Sequence, residues 1–249
     1  MPPPEELLEV VNHLKEALSD AYELEAIILF GSLGRGDADE FSDVDLLLLI
    51  ETDQDRAALG KEVARYLDPV TKGKHIIVKT PQEFCREEDI PGTLAFSAAK
   101  EGQFLLEKEG WRRRHMPLCS RERRRQEVIN QEYLRSAFDF LARARSSSQR
   151  GNFYRCRDFA KFAAVRAIKG LFVKYDIHPP RGTDLVELLN RAKELEPDLV
   201  LWADFLGELN SYCPGPADII ESRRSGALIE RVAVFVKEMV AILGTERSQ

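Results

Sequence analysis

Hydrophobic residues recur along the chain in two rhythms. From Glu5 to Asp20 they fall at Leu7, Val11, Leu14 and Leu18, the three-and-four spacing of an amphipathic helix. Two compact apolar runs follow, Ala26 to Phe30 and Leu46 to Ile50, too short for helices and reading as buried strands. Gly31-Ser32, a Gly/Asp-rich loop and Ser42-Asp43-Val44-Asp45 lie between them, so the stretch reads as strand, turn, strand. Thr52-Asp53 can cap a helix reaching Tyr66, with Leu59, Val63 and Leu67 on its inner side. Lys74 to Lys79 supplies a third strand, and Thr80-Pro81-Gln82-Glu83 follows as a capping box with Pro at the first helical position. Residues 91–110 then read as a helix and a short strand.

Strand alternation disappears beyond about Ser120. The pattern predicts one long helix from Arg121 to Ser147, broken by Ser146-Ser147-Ser148 and Gly151. A second runs from Arg155 to Tyr175 with Phe159, Phe162, Ala163, Ile168 and Phe172 inward, stopping before His178-Pro179-Pro180. Asp184 with Glu187 opens a third, Pro197 a fourth, and Ala217 to Leu243 forms the last. The expectation is therefore an α+β chain, a small mixed β-sheet domain over 1–110 and an all-α helical bundle over 111–249.

Charge sharpens that division. Residues 1–110 carry 11 Lys+Arg against 24 Asp+Glu, net −13, and the remainder 25 against 18, net +7. An acidic half admits cations and a basic half holds polyanions, or the two halves simply attract each other. The basic run Trp111 to His115, continued by Arg121, Arg123, Arg124 and Arg125, can meet a triphosphate or nucleic acid backbone, or serve as a solvated linker. Cys85, Cys119, Cys156 and Cys213 are far apart and form no Cys-x-x-Cys pair, which argues against a zinc site and a disulfide framework and for a reducing cytoplasm. The start of the chain lacks the pattern of a signal peptide, and no apolar run approaches membrane-spanning length, so no membrane partner is expected.

The candidate chemistry sits at the strand-turn-strand. In an extended strand Asp43 and Asp45 point the same way, with Cα atoms roughly 6.7 Å apart. Two such carboxylates repel by about 4 kcal/mol at 4 Å and an effective dielectric of 20, a conflict that a hard divalent cation removes. Mg²⁺ bridges carboxylates to phosphates, and Gly31 and Ser32 stand where a phosphate can approach the backbone and a hydroxyl. Alternatively, the two aspartates are solvated at the head of an edge strand.

Gly31-Ser32, then Asp43-x-Asp45 at the head of an apolar strand, resembles the signature of the polymerase-beta-like nucleotidyltransferases, and Arg35-Gly36 and Ser42 resemble its minimal members. The resemblance covers roughly the first 110 residues. It implies Mg²⁺ or Mn²⁺ on Asp43 and Asp45, a nucleoside triphosphate, with ATP the expected one, held by Gly31, Ser32, Arg35 and Ser42, and transfer of a nucleoside monophosphate to a hydroxyl acceptor. The family's third carboxylate falls on His75. Imidazole suits Mn²⁺ better than Mg²⁺ and is a weak substitute for a bridging oxygen base, so His75 is either a third metal position with reduced competence or an inert strand-end residue.

In the second half, Ala160 to Phe172 and Arg181 to Leu189 resemble the HEPN helical domain, which often accompanies minimal nucleotidyltransferases. Ribonuclease members carry Arg, four to six residues, then His. Here no Arg precedes His178 at that spacing, and Thr183 stands where many relatives show His, so RNA cleavage is not expected and nucleic acid is not a favoured partner. The resemblance leaves the acceptor open between a protein hydroxyl, as among toxin-antitoxin relatives, and a small molecule, as among aminoglycoside nucleotidyltransferases. It is compatible with a homodimer. The rival expectation is a catalytically weakened nucleotide-binding or regulatory module of toxin-antitoxin type.

Overall fold

The computed structural model describes residues 5–19, 21–39, 42–67, 73–211 and 222–244. The chain divides into two compact units, 1–124 and 125–249.

The first unit is built on a four-stranded mixed sheet, β1 (Glu23–Phe30), β2 (Val44–Glu51), β3 (Lys74–Lys79) and β4 (Gln103–Glu107), in the order β3-β2-β1-β4. β1 pairs antiparallel with β2 and β4, and β2 pairs parallel with β3. The apolar run at the start of β2 lies in the middle of the sheet, not at its edge, because β1 and β3 flank it. One face buries Ile27, Leu29, Leu46 and Leu48 against Leu7, Val11, Leu14 and Leu18 of α1 (Glu5–Ser19) and Leu59 and Val63 of α3 (Arg56–Tyr66); α2 is the short turn Gly31–Arg35. The opposite face buries Ile28, Leu47 and Leu49 against Phe84 and Cys85 of α4 (Pro81–Glu87), Ala95 and Ala98 of α5 (Leu94–Glu101), and Trp111. Both faces are dry, which is why β2 reads as an unbroken apolar run.

The capping box at Thr80 is formed, with Glu83 N–H donating to Thr80 Oγ1 and Thr80 N–H to the Glu83 carboxylate. The helix expected from Thr52-Asp53 instead begins at Arg56 under Asp55, whose carboxylate accepts the N–H groups of Ala57 and Ala58. Thr52 Oγ1 accepts from Gln54 N–H in the preceding turn.

The basic run is folded into this unit. Arg112 of α6 (Trp111–Arg114) lies over the rings of Phe104 and Trp111 and reaches Glu88 and Glu107. Arg114 binds both carboxylate oxygens of buried Glu25, at 2.7 and 2.9 Å. Arg121 and Arg124, in α7 (Arg121–Val128), both reach Asp89. These ties fasten the basic run to the first unit, since a buried or half-buried charge keeps its partner close.

The second unit takes up the chain at Arg125 within α7, which continues through a π-helical turn (Ile129–Leu134) into α8 (Arg135–Gln149). The three serines expected to break this helix remain helical, and Ser148 Oγ meets Ser225 Oγ at 2.7 Å. The helix expected from Arg155 starts earlier, as α9 (Phe153–Lys174), because Asn152 accepts the N–H of Arg155 and caps it. α8, α10 (Leu185–Ala192) and α12 (Ser222–Gly244) pack on α9, which buries Ala163, Ile168 and Phe172. Phe159 is half-buried, and Phe162 lies partly exposed beside Phe140 instead of inward. Asp184 caps α10, and Pro197 begins a 3-10 turn (Pro197–Trp202) leading into α11 (Ala203–Ser211). The start expected at Ala217, like Cys213, lies outside the described residues. Among the described residues no helix is long and apolar enough to cross a membrane.

Candidate active site

The site forms where the chain leaves β1 and enters β2. Antiparallel register sets Phe30 opposite Asp45, so Gly31, the next residue, arrives against the Asp45 side chain. Gly31 is required there twice over. Its φ of 70° lies in the left-handed region, and a Cβ at this position would overlap Asp45 Oδ2 and stand 3.1 Å from Cγ. α2 starts on Gly31 with no side-chain cap, leaving its first N–H groups and the Ser32 hydroxyl at the same strand end as the carboxylate.

Parallel pairing of β2 with β3 places Asp45 in register with His75. The imidazole Nδ1 stands 3.6 Å from Asp45 Oδ1, an ion pair when the ring is protonated, and the His75 side chain is 66% exposed against 24% for Asp45. Asp43 precedes β2 by one residue, and its carboxylate lies against Gly73. Burial raises the pKa of Asp45 above the ordinary carboxylate value. His75 opposes that rise, the Asp43 charge adds to it, and Arg35 opposes it. The two aspartates therefore do feel each other's charge, as their spacing requires.

Other candidates are turned to local tasks. Arg35 donates to Asp37 at 3.1 Å and to Glu101 of α5 at 3.4 Å, contacts that raise its pKa, although its charge still reaches Asp45. The Ser42 hydroxyl donates to Asp39 Oδ1 at 2.8 Å and accepts the Asp39 N–H at 3.0 Å, closing the loop. Glu101 has no signature in the sequence, because the partnership with Arg35 is made across 66 residues by the docking of α5.

Among the described residues no group of three or more His, Cys, Asp and Glu side chains is gathered as a metal cage. The His75 imidazole pairs with Asp45. The donor chemistry still fits a hard cation that keeps water and phosphate ligands, since such an ion needs only one or two protein carboxylates. The burial that raises the Asp45 pKa, and the Asp43 charge that adds to it, are what a bound cation would offset.

A doubly covered mixed sheet, with two aspartates at the head of its central strand beside a Gly-Ser turn, defines a nucleotidyltransferase fold. The family model "Polymerase beta, Nucleotidyltransferase" matches residues 12–110, and the HEPN domain model matches residues 130–214. The chain belongs to the polymerase-beta nucleotidyltransferases and joins that domain to a HEPN domain.

A relative from Methanocaldococcus jannaschii, named provisionally as a protein adenylyltransferase, is 38% identical over 87 residues, covering 34% of this chain and 73% of that protein. Two solved structures are more distant. A nucleotidyltransferase-like protein from Exiguobacterium sibiricum 255-15 shares 12% identity over 94% of this chain and 76% of its own, with a TM-score of 0.44. Spectinomycin adenyltransferase AAD(9) from Enterococcus faecialis, solved with ATP and spectinomycin, shares 13% identity over 90% of this chain and 98% of its own, with a TM-score of 0.41. Neither is close enough to place a ligand in this chain.

Proposed function

We propose that the chain transfers a nucleoside monophosphate from a nucleoside triphosphate, ATP in the first instance, to a hydroxyl acceptor in a divalent-metal-dependent reaction. The observation that carries this reading is the pair Asp43 and Asp45 at the head of β2, with the Asp45 carboxylate backed directly by Gly31. Asp43 and Asp45 hold Mg²⁺ or Mn²⁺. When bound, the ion neutralises charge on the triphosphate and the departing pyrophosphate. Gly31 lets the phosphates approach the backbone, and Ser32 offers them a hydroxyl donor. Arg35, held by Asp37 and Glu101, carries its positive charge to the same strand end.

In the transfer itself, an acceptor oxygen bonds to the α-phosphorus as the bond to the bridging oxygen breaks. Pyrophosphate leaves, and the acceptor proton passes to solvent or to the exposed His75 imidazole. The name of the archaeal relative favours AMP as the group transferred and a protein hydroxyl as acceptor, with a small molecule as the alternative. One observation favours a second reading, a nucleotide-binding regulatory module with little turnover: an imidazole stands opposite Asp45 where a third oxygen ligand is expected.

The test is incubation of the protein with each α-labelled triphosphate, Mg²⁺ or Mn²⁺, and cell extract. Label moving from ATP to an acceptor, and lost in Asp45→Asn, supports transfer. Metal-dependent binding without any transfer, with extract and candidate small-molecule acceptors both supplied, selects the regulatory reading.

A further inference from the structure

A second glycine bears on the other carboxylate of the pair. Gly73 stands immediately before β3, and its carbonyl accepts the N–H of Val44 at 2.9 Å, fastening the chain that enters β2 to the chain that enters β3. Asp43 occupies the space beside it. A Cβ at residue 73 would overlap Asp43 Oδ1, stand 3.0 Å from Cγ and 3.5 Å from the Asp43 Cα. A side chain at this position would therefore displace the Asp43 carboxylate.

That contact has a chemical consequence. Asp43 lies outside the β2 ladder, one residue before the strand begins, whereas Asp45 is held within it opposite Phe30 and His75. The direction of Asp43 therefore depends on what its carboxylate rests against, and that surface is the Gly73 backbone. We propose that Gly73 is a positioning residue for nucleotidyl transfer: its bare Cα is the seat that keeps the Asp43 carboxylate beside that of Asp45. The inference rests on the reading that these two aspartates hold the metal and triphosphate. It adds that the metal site is framed by two glycines, Gly31 against Asp45 and Gly73 against Asp43.

The experiment compares native protein with Gly73→Ala, Asp43→Ala and the double variant, measuring Mn²⁺-dependent ATP binding by calorimetry and unfolding temperature without metal. Gly73→Ala is expected to weaken metal-dependent ATP binding by about tenfold or more, in the range that follows loss of a residue supporting a metal ligand. The Mn²⁺ concentration for half-maximal binding should rise in parallel. In the Asp43→Ala background the carboxylate is gone, so alanine at 73 should leave the unfolding temperature unchanged, whatever it costs in the native background. This arm also covers a Gly73→Ala protein that folds poorly, because removing the Asp43 carboxylate should restore its fold.

Native binding by Gly73→Ala, alongside loss of binding in Asp43→Ala, overturns the role of Gly73 and leaves the site standing. An unfolding defect that persists unchanged in the double variant also overturns it, by showing that the glycine serves the backbone. Native metal-dependent binding by Asp43→Ala overturns the site assignment itself, and the inference with it.

Discussion

Asp45 at the sheet end and Asp184 at the start of α10 are the same residue type in opposite circumstances. Asp184 accepts the N–H of Glu187 at 2.9 Å and the Asn210 amide at 2.8 Å, and these contacts hold its pKa below the ordinary value. Asp45 is partly buried, hears a second carboxylate and has its pKa pushed up. One anion has been given donors by the fold, and the other has been left in want of positive charge. The first is what a helix cap needs; the second is what a cation and a triphosphate can exploit, at some cost to the protein without them. The contrast extends to the two units. The second unit carries the more basic sequence, yet its polar groups are tied within the bundle: Arg157 to the Glu208 carbonyl, Lys174 to the Ile242 carbonyl, Tyr175 to Glu196 and Trp202 to Glu238. Charge density alone does not make a site.

The largest effect expected from this contrast is on function. Asp45→Asn or Asp43→Asn should reduce metal-dependent triphosphate binding and transfer by at least ~10²-fold, since altering even the outer partner of a metal ligand costs about 10- to 100-fold. Calorimetry with ATP and Mn²⁺ measures it, and unchanged affinity in both variants would remove the site. Asp184→Asn should leave that affinity alone.

His75 offers a change in the other direction. If it stands in the third metal position, native protein should prefer Mn²⁺ to Mg²⁺. His75→Asp should then raise Mg²⁺-supported transfer by about 10²-fold, the lower end of what a general base supplies. Equal rates in the two metals, untouched by the substitution, would return His75 to an inert strand end.

On stability the order reverses. Asp184→Ala removes an N-cap and should cost about 1 kcal/mol, lowering the unfolding temperature by a few degrees. Because the pKa of Asp184 is depressed in the folded protein, its contribution is present above the unfolded carboxylate pKa near 4 and fades as pH falls through the lower folded value. Thermal melts of native and variant protein should therefore converge in acid.

The smallest and most diagnostic effect belongs to Asp45→Asn in the absence of metal. A raised carboxylate pKa means that ionised Asp45 opposes folding. The penalty is full above the folded pKa and disappears as pH falls and the group protonates. The variant should melt slightly higher than native protein near pH 7, with the difference shrinking towards acid. A lower melting temperature for the variant at neutral pH would show that His75 and Arg35 more than satisfy the carboxylate, and would end the contrast with Asp184.

The sequence by itself determined the order of elements, because burial imposes a rhythm that survives without coordinates: the three-and-four spacing of α1, the unbroken apolar run of β2 and the Thr80 capping box are local patterns. It also determined that Asp43 and Asp45 lie near each other, since two positions along an extended chain cannot separate far. What only the tertiary structure decided is what lies against them. The family resemblance had already pointed to His75, and parallel pairing brought its imidazole to 3.6 Å from Asp45; the docking of α5 brought Glu101 to Arg35, and Gly73 came to lie against Asp43. The fate of the basic run was equally nonlocal, for Arg112, Arg114, Arg121 and Arg124 find Glu88, Glu107, Glu25 and Asp89 only when the sheet and its helices are assembled. Periodicity records which side of an element is buried, whereas a partner across the fold leaves no mark on the spacing of residues, and that is why the elements could be read and most side-chain partnerships could not.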